Sequence, residues 1–399
     1  MSVEEDKIKQ ELDQKRLEDE KAKAEGDGVK KNEIRRRRHH HHHHHHHGSR
    51  KRRRRRRRIR KLKRFAKRFV ITAGLLLLAA VIIVVGAVFT MRHSGKRALY
   101  SDNINITAPK DLDVRLTDNG ATVTYKGERY RYNKDIITML FMGVDKADSA
   151  QDSSQIGENH QADMILLCTI DKVNKKITLT NVPRDTITEV NVYSPAGGYV
   201  GIEKLPIAVS YAYGDGKTTS CYNTTESVRR IFYNVPIPTY YSLNLDGIAA
   251  INDSVGGVDV TSPETIGPFE EGKTYHLVGD MATDFVQLRA KDRPDANLLR
   301  NERQRVYMNA ILKKFITATR QDISVPIDLY NAAKPYSCTN LNADRVTYLA
   351  TEFIVNRDMA INFQKVPVTV TQVDNHAENY VKEEEFYELF LKIFYNKVS

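Results

Sequence analysis

The sequence predicts an α/β fold, a single α-β-α sandwich with a mixed central sheet and helices on both faces, preceded by one transmembrane helix and a disordered basic tail. Three observations support this prediction. One apolar run is long enough to cross a membrane, and two later apolar segments joined by a polar turn indicate a β-hairpin. Strands and helices then alternate over about 260 residues, which is typical of one domain whose sheet is covered by helices.

The N-terminal tail, residues 1–68, carries the positive charge of the chain. It has 27 Lys/Arg against 11 Asp/Glu, a net of +16, whereas the rest has 35 against 39, a net of −4, within the whole-chain +12. Residues 1–34 contain few large apolar side chains, which favours disorder or a loose helix. The run His39–His47 is typical of a purification tag or a low-complexity tract. No nucleic-acid partner is predicted, because the tail contains no recognisable reading module.

Residues 69–90 form an uncharged apolar run of 22 residues. At about 1.5 Å per residue, a helix of that length spans the roughly 30 Å hydrocarbon core of a bilayer with some tilt. The run lies too deep in the chain for a cleaved signal peptide. Because segments rich in Lys and Arg remain in the cytoplasm, we expect a single-pass protein of the cell membrane with a cytoplasmic N-terminus and an extracytoplasmic C-terminal domain.

We expect residues 91–134 to form a stalk with a small β element, and residues 135–399 to form the main domain. Residues 121–132 alternate β-formers around Lys126-Gly127, which indicates a hairpin. The main domain begins with a nearly all-apolar run that ends at Asp145 and is typical of a strand covered on both faces. A carboxylate at such a strand end can bind a ligand, although it often only caps a turn.

The central hairpin runs from Asp163 to Arg184, with a polar turn at residues 172–176. The two residues are symmetric about position 173.5, so antiparallel pairing should bring the carboxylate close to the guanidinium at one sheet edge. A carboxylate that can hold a metal ion, beside an arginine that can hold a phosphate, suits phosphoryl chemistry. A structural salt bridge explains these two residues equally well on their own.

Two later segments add cations. Residues 283–290 read as a strand that places Gln287 and Arg289 on a mixed face suited to a cleft wall. Residues 297–319 read as an amphipathic helix, and we expect the cationic end of its stripe to face a pocket at the edge of the core; pairing with acidic neighbours is the alternative. The stripe comprises Arg300, Arg303, Gln304, Tyr307, Ile311 and Phe315. Other helices are expected at 246–254, 325–356 and 381–395, and a strand at 360–370.

Three cysteines do not make a disulfide framework. Cys168 lies in the first strand of the hairpin and is expected to be a small buried hydrophobe. Cys221 and Cys338 could pair in an oxidising compartment, although their spacing does not show that they meet. The chain has no P-loop, serine-nucleophile elbow, His-Glu-x-x-His or Cys-x-x-Cys motif, so nucleotide hydrolysis, serine hydrolysis and zinc proteolysis have no support.

Six short motifs follow one another between about residues 130 and 318. They are Phe141–Asp145, Ala162–Leu166, Val182–Thr186, Lys204 with Tyr211–Gly214, Asp246-Gly247 with Gly256–Val260, and Arg289 with Arg300–Gln304. Together they resemble the LytR-CpsA-Psr (LCP) family of cell-wall glycopolymer transferases of Gram-positive bacteria. The resemblance implies an extracytoplasmic catalytic domain with a hydrophobic slot for a polyprenyl chain. It also implies that a glycopolymer, such as teichoic acid or a capsular or wall polysaccharide, passes from polyprenyl pyrophosphate to peptidoglycan and that polyprenyl phosphate is released.

The resemblance also implies residue roles. Asp145 and Asp163 would hold Mg²⁺, or Mn²⁺ in its place, and both would be catalytic together with Arg184. Asp163 is the first candidate for the general base. The pyrophosphate would be bound by Arg184, Arg289, Arg300, Arg303, Gln304 and Lys204.

The chain departs from the family pattern at two arginine positions, which Gln161 and Gln287 occupy, and Asn297 stands where aspartate is usual. The loss of two guanidinium groups lowers the positive charge offered to a pyrophosphate. Compensating cations are expected among Lys204, Lys291 and Arg293. Two alternatives therefore stay open: a pyrophosphatase that uses water as acceptor, and a non-catalytic envelope regulator that binds polyprenyl lipid.

Overall fold

The computed structural model describes residues 48–101, 104–144, 161–290, 296–356, 359–373 and 376–398. The predicted disorder of residues 1–34 and the histidine run therefore lie outside the described residues. Helix α1 (Gly48–Leu99) contains the apolar run. Its part Thr72–Leu99, of 28 residues, includes an 18-residue window with a mean hydropathy of 2.8, and is long and apolar enough to cross a membrane. We expected residues 48–68 to be disordered, but they are helical. Arg and Lys are good helix formers, and an existing helix extends cooperatively.

The described residues from Ala80 onward form one compact unit, and those before it belong to another. The strands of the later unit are β1 (Val114–Thr117), β2 (Thr122–Tyr125), β3 (Glu128–Tyr132), β4 (Ile136–Val144), β5 (Ala162–Asp171), β6 (Lys176–Val182), β7 (Ile187–Tyr193), β8 (Tyr199–Pro206), β9 (Thr239–Asn244), β10 (Val258–Thr261), β11 (Thr274–Leu277), β12 (Ser337–Thr339), β13 (Ala360–Lys365), β14 (Val368–Val373), β15 (His376–Val381) and β16 (Tyr395–Val398). Its helices are α2 (Thr218–Ile231), α3 (Gly247–Ser254), α4 (Asp280–Gln287), α5 (Ala296–Gln321), α6 (Val325–Ala333), α7 (Ala343–Val355) and α8 (Glu383–Phe394).

A six-stranded mixed sheet in the order β12-β9-β4-β5-β6-β13 forms the centre of this unit. β4 and β9 are parallel, as are β6 and β13, and the other neighbours are antiparallel. Side chains alternate between the two faces of β5, as the strand period requires. Ile165 and Leu167 pack under α2 and α8, whereas Leu166 and Cys168 pack under α5 and α7. The predicted α-β-α sandwich is confirmed.

The small β element belongs to the same core as the main sheet. Its two predicted strands pair as β2 and β3 around Lys126-Gly127, and β16, at the C-terminal end of the described chain, completes the sheet in the order β1-β2-β3-β16. Val123 and Tyr132 pack in one cluster with Phe386 and Phe394, which both belong to α8. The boundary that we expected at residue 134 is therefore not a boundary between packing units.

Residues 283–290 are not a strand, and this prediction is wrong. Helix α4 covers residues 280–287, and its buried residues Ala282, Phe285 and Val286 follow helical spacing. In so short a segment, the spacing of apolar residues fits a strand as well as a helix, so periodicity alone does not distinguish the two structures. The expected strand at 360–370 is also divided, because β13 ends at Lys365 and β14 begins a separate hairpin with β15.

The three cysteines are thiols. Cys168 is buried as expected, and burial raises its pKa to about 12. Cys221 of α2 and Cys338 of β12 meet, and a hydrogen bond from the Cys221 thiol lowers the pKa of the Cys338 thiol to about 7. The Cys221 sulfur also lies 4.0 Å from the Cys338 carbonyl oxygen. Proximity, which the sequence left open, is thus established.

We expect oxidised glutathione to join Cys221 and Cys338 in a disulfide, as each thiol loses its hydrogen and glutathione disulfide is reduced to two glutathione thiols. The reaction should accelerate as the pH rises through 7, because the thiolate is the nucleophile. The two cysteines are 117 positions apart, and closing so long a loop should stabilise the fold by about 2–4 kcal/mol. Peptide mapping and unfolding with and without reductant test this, with Cys221→Ser as the control. Absence of the cross-linked peptide contradicts the prediction.

Candidate functional site

Asp163 and Arg184 meet at one edge of the central sheet, as the hairpin register predicts. Ile165 pairs with Val182, and the same register, continued by two residues, places Asp163 opposite Arg184. Arg184 Nη1 donates to Asp163 Oδ1, and its Nη2 donates to Gln161 Oε1 at 2.5 Å. Arg184 Nε lies 3.4 Å from Asp185 Oδ1. The expected proximity is confirmed, whereas the catalytic roles of the two residues stay predictions.

Local backbone features aim both side chains. Gly143 pairs with Met164 and Val144 with Ala162, so Asp163 is the extra residue of a β-bulge between β4 and β5. Bulges are frequent beside active sites, where they redirect a side chain. The turn that carries Arg184 is held by a hydrogen bond from the Ala208 amide to the Arg184 carbonyl at 3.0 Å.

A cavity of about 480 Å³ opens beside Asp163. It lies between helices α3, α5, α6 and α7 and the face of the sheet that carries Leu166 and Cys168. Its walls are largely apolar and include Phe141, Leu166, Met308, Leu312, Leu349 and Phe353. Burial raises the pKa of Tyr241, a further lining residue, to about 12, so that its phenol is neutral. Of the described lining residues, Asp163 is the only acid and Arg300 the only cation. The cavity is therefore a largely apolar chamber with a few polar lining residues.

The α5 stripe faces this cavity, as predicted, with one exception. Arg300, Gln304 and Tyr307 line the cavity, together with Gln287. Arg303 instead turns into the core, where its side chain is 1% exposed and pairs with Glu264. Its guanidinium also donates to the Phe285 carbonyl at 2.7 Å and to the Leu288 carbonyl. Arg303 is thus held away from the cavity, in contrast to the pyrophosphate-binding role that we expected.

The other expected ligands either do not line the cavity or lie outside the described residues. Arg289 and Lys204 are both exposed, and neither is among the described residues that line the cavity. Lys204 lies on β8, where its register partner is Glu189. Three further expected residues, Asp145, Lys291 and Arg293, lie outside the described residues.

The described donors fit a hard divalent cation only in part. Mg²⁺ accepts one or two carboxylates from a protein and retains water or binds substrate phosphates at its other positions. Asp163 is about one-third exposed, at 31%, and lines the cavity, so it can supply one such carboxylate. Within the described ranges no group of three His, Cys, Asp or Glu side chains forms a closed metal cage. The arrangement suits a cation shared with a phosphate ligand.

Sequence reasoning missed two contacts at this site. Gln161 was noted only as a departure from a pattern, yet it accepts a hydrogen bond from Arg184. Glu264 gave no signal, because a single acid in a loop between two short strands has no periodicity to mark it as buried. Neither contact could be found without the tertiary structure.

Comparison with known proteins gives the same family as the motifs. The LytR_cpsA_psr family is matched over residues 101–392. A Bacillus cereus protein named polyisoprenyl-teichoic acid–peptidoglycan teichoic acid transferase TagU is 31% identical over 216 residues, which is 53% of this chain and 62% of that protein. A Bacillus mycoides protein of the same name is 28% identical over 258 residues, which is 62% of this chain and 75% of that protein. The match thus spans less than two thirds of the first relative's length.

A solved structure supports the fold. The crystal structure of a Streptococcus agalactiae protein superposes with a TM-score of 0.53 at 20% identity, and covers 65% of this chain and 86% of that one. At this identity the likeness concerns the fold alone.

Proposed function

This chain belongs to the LytR_cpsA_psr family, and on that basis we propose that it is a membrane-anchored phosphotransferase that moves a glycopolymer from a polyprenyl-pyrophosphate carrier to peptidoglycan. One observation carries the proposal: Asp163, which is paired with Arg184, lines a largely apolar cavity. That combination suits a substrate with a long hydrocarbon chain and an anionic head. We further propose that the domain lies outside the cytoplasm, anchored by α1.

The cavity would hold the polyprenyl chain. Its volume of about 480 Å³ is in the usual range for a small-molecule site. Most of its lining residues, such as Met308 and Phe353, are apolar. Burial of hydrocarbon in such a chamber contributes roughly 0.8 kcal/mol per methylene. The pyrophosphate would then be bound by the polar lining residues, which include Arg300, Gln304 and Asp163.

The described residues would act mainly by positioning the pyrophosphate and neutralising its charge. Arg184 presents a guanidinium whose fork geometry matches phosphate oxygens, and Arg300 adds a second cation at the cavity. Fixed cations stabilise the charge that develops during phosphoryl transfer without having to reorganise. We propose Asp163 as a ligand of Mg²⁺, which when bound would add further charge neutralisation.

In the proposed step, an acceptor hydroxyl of peptidoglycan attacks the phosphorus at the sugar end of the pyrophosphate. The new phosphorus–oxygen bond forms as the bond to the bridging oxygen breaks, and polyprenyl phosphate leaves. The hydroxyl proton passes to a base, for which Asp163 is our candidate because it is the only acid among the described lining residues.

The proposal is tested with the full chain in lipid vesicles, supplied with Mg²⁺, a lipid-pyrophosphate oligosaccharide labelled in its sugar, and peptidoglycan fragments. We expect label in peptidoglycan. Release of free labelled oligosaccharide phosphate without transfer would favour a pyrophosphatase. Tight lipid binding without turnover would favour a non-catalytic lipid-binding protein.

We predict that Gln161→Arg strengthens pyrophosphate binding about tenfold, because a hydrogen bond from a charged donor contributes about 1.5 kcal/mol. Gln161 now gives Arg184 an acceptor but adds no positive charge to the site. Gln287→Arg, at the cavity wall, should act in the same direction. Calorimetric titration with inorganic pyrophosphate and Mg²⁺ measures the change, with the uncharged Gln161→Met as control. Unchanged affinity in both arginine variants would show that these two positions do not limit binding.

A further inference from the structure

The buried ion pair between Arg303 and Glu264 lies beside the cavity and has no part in the proposed chemistry. The Arg303 side chain is 1% exposed and that of Glu264 is 5% exposed. Burial lowers the pKa of the Arg303 guanidinium, yet an arginine remains charged at neutral pH. Two charges withdrawn from water are costly unless they are paired and fully hydrogen-bonded. A pair of this kind beside a site invites a functional explanation.

Two of the three hydrogen bonds of Arg303 join α5 to the end of α4. The last carbonyls of a helix lack intrahelical partners, and α4 ends at Gln287. Arg303 Nε donates to the Phe285 carbonyl at 2.7 Å, and Nη2 donates to the Leu288 carbonyl. The next residue of α5, Gln304, donates to the Val286 carbonyl at 3.3 Å. The C-terminal end of α4 is therefore capped by side chains of α5, and Glu264 accepts from the remaining Nη1.

These contacts hold together two helices that both supply polar lining residues of the cavity. Gln287 is the last residue of α4 and lines the cavity, and Arg289 follows two positions later. Arg300 precedes Arg303 by one helical turn on α5, and Gln304 follows it directly; both line the cavity. A shift of α4 along α5 would therefore move Gln287 relative to Arg300.

We propose that Arg303 and Glu264 are positioning residues, which hold the end of α4 against the first turns of α5 and thereby set the spacing of the pyrophosphate-binding side chains. The inference rests on the proposed function for the identity of the ligand. Arg303 thus acts through Gln287, Arg300 and Gln304. Glu264 keeps the Arg303 guanidinium in the orientation that reaches the carbonyls of Phe285 and Leu288.

Two conservative variants test the proposal in the full chain. Arg303→Lys keeps the charge that pairs with Glu264, but an ammonium on an unbranched stem does not reproduce the guanidinium fork to two carbonyls. Glu264→Asp keeps the negative charge and withdraws it by one methylene. The matched control is Arg305→Lys, which alters an exposed pair with Glu302 on the same helix. The probe is inorganic pyrophosphate with Mg²⁺, followed by calorimetry, together with KM and kcat for transfer and the midpoint of unfolding.

We expect Arg303→Lys and Glu264→Asp each to weaken pyrophosphate binding and to raise KM by about tenfold, the scale of one lost charged hydrogen bond, and Arg305→Lys to change neither. A merely structural pair would lower the unfolding midpoint and leave the affinity of the folded molecules unchanged, which would overturn the proposal. A wild-type chain that does not bind pyrophosphate would overturn it as well. Binding by the wild type without transfer would contradict the proposed function alone.

Discussion

Replacing Arg184 with lysine is expected to slow glycopolymer transfer by about 10²–10³-fold, the range measured when one preorganised donor to a developing charge is removed. Arg184 donates through separate nitrogens to Asp163 and Gln161, so its fork is oriented before substrate arrives. Lysine retains the charge but not the planar fork. The initial rate of label transfer into peptidoglycan measures the loss.

Arg229 offers a matched control for this substitution. Its side chain is 34% exposed, against 35% for Arg184, and it pairs with Glu226 at 2.7 Å. Arg229→Lys therefore makes the same chemical change at the same exposure, but on α2 and away from the described lining of the cavity. We expect transfer at the wild-type rate. An equal loss in both variants would mean that the Arg184 effect is general destabilisation.

Filling the cavity is expected to weaken recognition of the lipid without unfolding the protein. Leu349 of α7 lines the cavity, and Leu349→Trp would place a larger apolar side chain in it. Excluding even two methylenes of a prenyl chain costs about 1.6 kcal/mol, so the affinity for the lipid pyrophosphate should fall at least about tenfold. Inorganic pyrophosphate, which does not enter the apolar part, should bind as before.

The control for this substitution lies on the same helix. Val355 is 67% exposed, and Val355→Trp adds an indole to the surface. Lipid affinity is measured by fluorescence titration in both variants, and unfolding midpoints are recorded beside it. If Leu349→Trp lowered the affinities for the lipid pyrophosphate and for inorganic pyrophosphate equally, the assignment of the cavity to the hydrocarbon chain would be contradicted.

The hairpin shows why part of the site is predictable from sequence. Strand register depends on the turn and on the alternation of apolar residues, and both are local properties. The symmetry of Asp163 and Arg184 about the turn therefore predicts a contact between residues 21 positions apart. The apolar run of α1 and the strand and helix pattern of the sandwich are predictable for the same reason.

Contacts that depend on the placement of a third element could not be predicted. Arg300 and Arg303 share one stripe of α5, and sequence spacing treats them alike. Arg303 meets the end of α4 at the carbonyls of Phe285 and Leu288, whereas Arg300 lines the cavity. The β-bulge at Asp163 is likewise set by the pairing of β5 with β4 and leaves no mark in the sequence.

Photo-crosslinking of the full chain in vesicles, with a polyprenyl pyrophosphate that carries a diazirine near the end of its chain, shows most directly where the hydrocarbon chain binds. We expect cross-links to residues that line the cavity, such as Met308, Leu312 and Leu349, and competition by unlabelled polyprenyl pyrophosphate. Cross-links confined to α2 or α8, on the opposite face of the sheet, would contradict the assignment of the cavity to this chain.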